Sequence, residues 1–223
     1  MDLDAETPVR HANLSDERKR IVQSAYDALG PRFGDWGEQI EGDPWERFLG
    51  ELAARLRGGG LVLDLGCGNG AKIAHLAERF ELVAVDLSEE QLALARPRLP
   101  GATLLCRDFV DLDFEPGTFD AVTAFYSIMH VPRDEHRDLF GWIARWLKPG
   151  GLFLASLGHV GGPDRTYEWL GVEMFFSSFD ADTSRGLLRD AGFELELDEL
   201  VWMREPEPQG EVAFLWVLAR KPR

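Results

Sequence analysis

The sequence has little that would cross-link the chain or anchor it in a membrane. Only two cysteines occur among its 223 residues, Cys67 and Cys106. They are too few for a disulfide framework and are expected to be reduced thiols. No apolar run approaches the roughly 20 residues needed to span a bilayer, and the charged segment 1–20 lacks the apolar stretch of a signal peptide. These features predict a cytoplasmic protein without a membrane partner.

Basic residues are also scarce. Lys and Arg total 24 against 39 Asp and Glu, a formal net charge of −15. Binding nucleic acid without a basic stripe would forfeit the counterion release that supplies most non-specific affinity. We therefore expect no nucleic-acid partner and interpret the acidity as favouring solubility. The hydrophobic content of 45% is enough to bury the core of one domain.

The most informative segment is an apolar strand, 61–65, that runs into the glycine-rich turn 66–70. A second apolar strand, 82–85, follows and ends in Asp86. Glycine permits a sharp reversal and a close approach of the backbone to a ligand. An acidic residue at the end of the second strand can accept hydrogen bonds from both hydroxyls of a ribose. This order predicts a nucleoside-binding βαβ unit.

Asp64 extends the turn to the pattern D-x-G-x-G-x-G, which resembles motif I of the class I S-adenosylmethionine-dependent methyltransferases. Asp108, after a predicted strand at 102–106, matches the acidic residue that in this family meets the adenine amino group. The run 148–151, Lys-Pro-Gly-Gly, matches the turn before the family's fifth strand. The ordered match covers roughly 62–157. It implies S-adenosylmethionine as cofactor and S-adenosylhomocysteine as product.

The order of predicted elements fits the same family. Strands and helices alternate from 61 to 157, beginning with a strand at 61–65 and a helix at 72–80, which implies parallel strands with crossover helices on both faces. A helix after Phe179, capped by Asp180 or Asp182, precedes strands 193–203 and 212–220, which are joined closely enough to pair antiparallel. We expect a Rossmann-like, doubly wound, seven-stranded α/β sheet, mostly parallel with a C-terminal antiparallel strand. A dinucleotide dehydrogenase would instead continue in parallel.

The chain is expected to form one domain of four parts. Segment 1–57 would be a helical cap, with helices at 15–30, where Ser15 is a plausible N-cap, and at 44–56, separated by a Gly- and Pro-broken stretch at 30–42. Segment 61–157 would be the cofactor-binding core, and 158–178 an insertion on the substrate side. Segment 179–223 would be the closing helix and β-hairpin.

The resemblance implies a set of cofactor contacts. Tyr26 resembles the tyrosine of an N-terminal helix that covers the methyl donor in many members acting on small molecules. The cofactor-binding residues are expected to be Tyr26, Asp64, Gly66, Cys67, Gly68, Gly70, Asp86, Leu87, Asp108, Phe109 and Phe125. The loop after the fourth strand lacks the N/D-P-P-Y type motif of members that methylate DNA bases and glutamine. It also lacks the acidic ligands of the magnesium-dependent type, so no metal is expected.

The long, aromatic-rich connection 158–178 indicates a roof over the methyl acceptor, because long loops in compact domains are usually lids or binding elements. With aromatic residues of the N-terminal segment it would form an apolar chamber. His130 and His159, at strand exits, are candidate bases, although many family members use none. The substrate-contacting residues are expected to be Tyr126, His130, Trp36, Trp169, Phe175, Phe176 and His159.

These observations favour a cytoplasmic S-adenosylmethionine-dependent methyltransferase that acts on a small, apolar or aromatic molecule. The methyl group would pass in line to an oxygen, nitrogen, sulfur or carbon acceptor. The protein itself is expected to be a monomer or a homodimer. Two alternatives stay open: a nicotinamide-dependent oxidoreductase, and a non-catalytic module that binds S-adenosylmethionine.

Overall fold

The computed structural model describes residues 16–56 and 59–223. Its main sheet has seven strands in the order β3-β2-β1-β4-β5-β9-β8. Strands β1 to β5 pair in parallel, and β9 runs antiparallel to both of its neighbours, β5 and β8. The expected sheet and its single antiparallel strand are confirmed. The nine strands are β1 Leu61–Leu65, β2 Glu81–Asp86, β3 Thr103–Cys106, β4 Phe119–Ala124, β5 Leu147–Leu157, β6 Arg165–Trp169, β7 Val172–Phe176, β8 Glu194–Glu205 and β9 Gly210–Arg220.

Helices cover both faces of this sheet. They are α1 Glu17–Leu29, α2 Pro31–Gly37, α3 Trp45–Arg55, α4 Ala74–Ala77, α5 Glu89–Ala95, α6 Arg133–Trp146 and α7 Ala181–Asp190. One face is packed by α6 and α7, which bury Phe140, Ile143 and Leu188 against it. The other face is packed by α3, whose Phe48 stacks on Trp216 of β9 with ring centroids 4.8 Å apart. No helix in residues 16–56 and 59–223 is long and apolar enough to cross a membrane.

Three local expectations need correction. The stretch 30–42 was expected to be broken, yet Pro31 begins the short helix α2, because proline fits the first turn, where its missing N–H is not needed. The helix expected at 72–80 is helical only at Ala74–Ala77. Helix α1 is capped by Asp16, whose side chain accepts from the Arg18 N–H, and the proposed cap Ser15 lies outside the described residues.

The segment 158–178 is not an irregular loop. It contains the antiparallel hairpin β6-β7, which forms a second, two-stranded sheet. Its two turn residues, Leu170 and Gly171, both have positive φ angles of 51° and 79°. Two-residue hairpin turns with this backbone usually have the sequence Asn-Gly or Gly-Gly. Because leucine occupies the first position here, the sequence did not indicate a hairpin. The hairpin packs on α1 through a small core of Val22, Ala25, Leu29, Met174 and Phe175.

Candidate active site

The carboxyl ends of β1, β2 and β4 open onto a cleft lined by the glycine-rich turn, which we call the loop cleft. Three glycines of this turn have positive φ, but their surroundings differ. A Cβ on Gly66 would lie 2.3 Å from Ser127 Cβ, and one on Gly70 would lie 2.8 Å from Leu99 Cδ1. A Cβ on Gly68 would meet only Phe33, at 3.9 Å. Gly66 and Gly68 line the loop cleft, whereas Gly70 does not and is required by packing.

Asp86 organises this turn. One of its carboxylate oxygens accepts from the Gly68 N–H at 2.7 Å, and the other accepts from the Ser88 N–H at 2.9 Å. Burial raises the pKa of Asp86 to about 6, while the two backbone donors pull it back toward its ordinary value. Asp86 therefore faces the cleft with both oxygens oriented by backbone, and each retains a lone pair for a further donor.

Asp64 lies beneath the turn. It is 2% exposed and accepts a hydrogen bond from the Thr123 hydroxyl of the neighbouring strand β4. Burial raises the pKa of Asp64 to about 7, and the Thr123 hydrogen bond opposes this effect. A carboxyl at this position can accept a donor from a ligand above the turn when it is ionised, and donate when it is protonated.

Asp108 has a partner that the sequence did not suggest. Its Oδ1 accepts from the Val110 N–H at 3.0 Å, and its Oδ2 lies 2.8 Å from Nζ of Lys19 in α1. Lys19 is also 2.8 Å from the Glu135 carboxylate of α6. Burial lowers the pKa of Lys19, but the two carboxylates outweigh burial and raise it overall. This buried ion-pair network holds α1 over the loop cleft at Asp108.

His130 is fully committed to two hydrogen bonds. Its Nδ1 lies 2.8 Å from the Phe175 carbonyl oxygen, which can only accept, so Nδ1 carries the proton. Its Nε2, 2.9 Å from the Tyr26 hydroxyl, then accepts from that hydroxyl. Burial lowers the pKa of His130 to about 4, although the Phe175 carbonyl opposes this effect. The ring is a neutral bridge between α1 and β7, with both of its nitrogens in hydrogen bonds.

Tyr126 stands where β4 ends, in a strained backbone conformation. Its φ is 56°, which is uncommon for a residue with a side chain and typical of functional sites. Its hydroxyl donates to Asp43 at 2.6 Å, and Asp43 also pairs with Lys72. The Lys72 Nζ lies 5.1 Å from the centre of the Tyr126 ring. This network fixes the Tyr126 ring at the edge of the loop cleft.

A second cavity of about 850 Å³ adjoins the loop cleft, and we call it the aromatic chamber. The two share the lining residues Tyr26, Phe33, Asn69, Lys72, Tyr126 and His130. One wall is a chain of rings in which Phe33 stacks on Trp36 and Trp36 meets Trp169 edge to face, with ring centroids 5.9 and 5.1 Å apart. A molecule in the aromatic chamber would therefore lie beside a ligand of the loop cleft.

The structure brings together most of the residues expected from sequence. The loop cleft contains Tyr26, Asp64, Gly66, Cys67, Gly68, Asp86, Leu87, Asp108, Phe109 and Phe125. The aromatic chamber contains Trp36, Tyr126, His130, Trp169 and Phe176. Two expected substrate residues line neither cavity. The Phe175 side chain is 2% exposed and packs against α1. His159 lies instead against Trp202, with ring centroids 6.0 Å apart.

Sequence reasoning missed one whole wall of the aromatic chamber. This wall comes from the C-terminal hairpin, which the sequence showed only as a pair of closing strands. Its lining residues are Met203, Glu205, Pro208, Gln209, Val212 and Phe214. The sequence did not distinguish Glu205, because four other acidic residues lie in the same strand, β8. Lys19, Asn69 and Lys72 were missed in the loop cleft, because single polar residues on helices and turns carry no pattern.

Comparison with known proteins agrees with this geometry. Residues 62–151 match a family model described as a methyltransferase domain. The chain is 29% identical over 154 residues to the demethylmenaquinone methyltransferase of Symbiobacterium thermophilum, over 62% of this chain and 59% of that protein. It is 38% identical over 100 residues to a trans-aconitate 2-methyltransferase of an Acidovorax strain, over 43% and 37% of the two chains. The chain thus matches less than two thirds of the length of these relatives.

A solved structure resembles nearly the whole chain. The 1,6-didemethyltoxoflavin-N1-methyltransferase of Burkholderia thailandensis, solved with 1,6-didemethyltoxoflavin and S-adenosylhomocysteine bound, superimposes with a TM-score of 0.69 at 24% identity. The match covers 99% of this chain and 94% of that one, and at this identity it supports the fold. The matched model, the motif I turn and the strand order identify residues 62–151 as a methyltransferase domain of the class I S-adenosylmethionine-dependent type.

Proposed function

We propose that this protein transfers the methyl group of S-adenosylmethionine to a small molecule held in the aromatic chamber. The observation that carries the proposal is the contact between the two cavities, which share Tyr26, Tyr126 and His130 at their boundary. A donor in the loop cleft and an acceptor in the aromatic chamber would meet there. Small-molecule names among the relatives, such as trans-aconitate and demethylmenaquinone, are consistent with this class of acceptor.

The residues of the loop cleft have distinct roles in this proposal. Asp86 would bind the ribose hydroxyls of the donor, and Asp64 would face the donor from below the turn. Asp108 would contact the adenine end together with Lys19, its partner on α1. The sulfonium methyl is already activated, so the protein needs mainly to hold the acceptor in line, roughly 3 to 3.5 Å away, and to exclude water.

Because both nitrogens of His130 are occupied, we propose that the reaction proceeds without His130 as a base. Its contribution would be to hold the Tyr26 ring at the boundary between the two cavities. The free thiols of Cys67 and Cys106 fit our further proposal that the protein works in the cytoplasm. We also propose a monomer or homodimer that does not bind nucleic acid, in keeping with the net charge of −15.

The decisive experiment pairs binding with turnover. Calorimetric titration should show binding of S-adenosylmethionine. Asp86→Ala should weaken it tenfold or more, as expected for loss of a charge-assisted contact of about 1.5 to 3 kcal/mol. Asp138→Ala, on the exposed face of α6, is the matched control and should leave the affinity unchanged. Equal affinity in a folded Asp86→Ala variant would contradict the ribose role.

Turnover is tested with a panel of phenols, amines and thiols, by release of S-adenosylhomocysteine. Release with any acceptor supports methyl transfer. Donor binding with no release from a broad panel would favour the alternative of a non-catalytic module. Nothing in the fold or in the relatives described above supports the nicotinamide-dependent alternative, and titration with NAD(H) is the direct check.

A further inference from the structure

One buried carboxyl group of the aromatic chamber has no hydrogen-bond or ion-pair partner in the described part of the chain. Glu205 is the last residue of β8, it is 9% exposed, and its side chain lines the aromatic chamber. Among residues 16–56 and 59–223 it makes no side-chain hydrogen bond and no ion pair. A buried carboxylate without a partner is costly, so such a group is normally hydrogen-bonded. Burial raises the pKa of Glu205 to about 7, which agrees with this isolation.

Two further polar atoms on the chamber wall are in the same situation. The Oε1 of Gln209, in the turn after β8, and the Nε1 of Trp36 are buried and have no hydrogen-bond partner in the described part of the chain. With Glu205 they make two acceptors and one donor that no described residue satisfies. A few polar groups placed among aromatic side chains are what orients a ligand in a binding cavity.

The charges around the chamber restrict the ligand. Its lining includes the carboxylates of Glu38, Asp43, Glu46, Glu168 and Glu205, but Lys72 is the one basic residue among the described residues that line it. Lys72 is already paired with Asp43. A carboxylate ligand would thus find repulsion without a free basic partner. A ligand that donates hydrogen bonds is favoured.

The aromatic wall of the chamber restricts the shape of the ligand. Phe33, Trp36, Trp169 and Phe176 form a continuous series, and the Trp169 and Phe176 ring centroids are 5.9 Å apart. Rings of this kind favour offset-stacked or edge-to-face contacts with another flat ring. The volume of about 850 Å³ accommodates a bicyclic molecule.

From these observations we propose that Glu205 recognises the methyl acceptor, and that the acceptor is a planar, aromatic nitrogen compound that presents an N–H group to this carboxylate. Gln209 and Trp36 complete the polar contacts around the ring. The inference rests on the proposed methyltransferase function and specifies its substrate class. Glu205 acts in binding and selection, so its removal changes acceptor affinity and leaves donor affinity in place.

The experiment measures binding, which makes it independent of turnover. Calorimetric titrations of the 223-residue chain, saturated with S-adenosylhomocysteine, use three probes: benzimidazole, 1-methylbenzimidazole and 2-naphthoate. Benzimidazole has the N–H group, its methylated form lacks only that group, and 2-naphthoate is a flat anion. We expect benzimidazole to bind at least tenfold more tightly than either, as for a hydrogen bond to a charged group.

Three variants assign the preference to Glu205. In Glu205→Gln and Glu205→Ala the advantage of benzimidazole over 1-methylbenzimidazole should fall at least fivefold, while affinity for S-adenosylhomocysteine changes less than twofold. Glu194→Gln, an exposed residue at the opposite end of β8, is the matched control and should behave as the original protein. The benzimidazole affinity of the original protein should also rise as pH increases through about 7, as Glu205 ionises, and this dependence should vanish in Glu205→Gln.

Each outcome decides the proposal. Tighter binding of 2-naphthoate than of benzimidazole, equal binding of the two benzimidazoles, or an unchanged preference in Glu205→Gln overturns it. If the Glu205 variants do not fold, the comparison of the two benzimidazoles across pH in the original protein still tests the role of a titrating carboxylate. Failure of methyl transfer is a separate result, detected as the absence of S-adenosylhomocysteine release while probe binding persists.

Discussion

Replacing the three glycines of the loop cleft turn by alanine, one at a time, should separate packing from ligand contact. All three have positive φ, so each alanine incurs a backbone cost of about 1 to 2 kcal/mol. At Gly68 the steric cost beyond this backbone cost is small, because the new Cβ would meet only Phe33 at 3.9 Å. At Gly66 the new Cβ would lie 2.3 Å from Ser127 Cβ, so the backbone must move.

These differences predict distinct effects on stability and binding. Since 1 kcal/mol changes the Tm of a domain of this size by about 2 to 4 °C, Gly68→Ala should lower Tm by about 2 to 8 °C. Gly66→Ala should cost more, because overpacking adds about 1 to 3 kcal/mol. Gly70→Ala should lie between, since the nearest atom is the flexible end of Leu99. Gly68→Ala should weaken S-adenosylmethionine at least tenfold, whereas folded Gly70→Ala should bind it nearly normally.

The assays are thermal melts without ligand and calorimetry with S-adenosylmethionine. The double variant Gly66→Ala, Ser127→Gly is the control, because it removes the overlapping Cβ and leaves the backbone cost. Its Tm should recover part of the loss. Equal stability of Gly66→Ala and Gly68→Ala, or normal donor binding by Gly68→Ala, would refute the assignment of Gly66 to packing and Gly68 to the ligand.

Three further predictions follow from the site. Tyr26→Phe removes the donor to His130 Nε2 and should cost about 1 to 3 kcal/mol in urea unfolding, since a buried acceptor is left unpaired; no change would contradict that hydrogen bond. Phe175→Ala should lower the free energy of unfolding by about 3 to 5 kcal/mol, whereas Phe176→Ala should mainly raise the acceptor KM. Equal effects of the two substitutions on Tm and on KM would contradict a core role for Phe175 and a binding role for Phe176. Because burial raises the pKa of Asp64 to about 7 from 3.8, the folded state binds more protons between these values, so the free energy of unfolding should fall as pH rises from about 4 to 7. Asp64→Asn should flatten that dependence in urea titrations at several pH values, and an unchanged slope would count against a buried, titrating carboxyl.

The loop cleft, our proposed donor site, could be predicted from sequence because its turn and its acidic residues follow neighbouring strands. The turn 66–70, Asp86 and Asp108 follow three adjacent parallel strands, and the carboxyl ends of such strands meet at one edge of the sheet. What the sequence could not give was the use of each glycine. The glycine pattern does not distinguish Gly66, where a side chain would overlap Ser127, from Gly68, which faces the cleft. Only the fold determines which neighbours lie near each glycine.

The acceptor half could be predicted only in part. Trp36 of α2 and Trp169 of the hairpin meet, as expected, but Phe176 lines the aromatic chamber whereas its neighbour Phe175 lies in the core. Telling Phe175 from Phe176 requires knowing that they lie in a strand and how that strand pairs. The atypical turn at Leu170 concealed both from the sequence. Glu205 was missed for a related reason. The C-terminal hairpin could be predicted, but the position of its tip across from the 165–176 hairpin depends on packing between segments distant in the chain.

Tyr26 connects the two halves of the site. Its ring lines both cavities, and its hydroxyl donates to His130, which in turn donates to the backbone of β7 at Phe175. Helix α1 is held separately on the cofactor side, where Gln91 donates to the Tyr26 and Gly30 carbonyls and Lys19 pairs with Asp108. In the arrangement that we propose, contacts that order α1 over a bound donor would therefore also support the hairpin beside the acceptor. Because coupling between distant sites is weak unless they share partners, this shared chain of hydrogen bonds is where donor binding would influence acceptor binding.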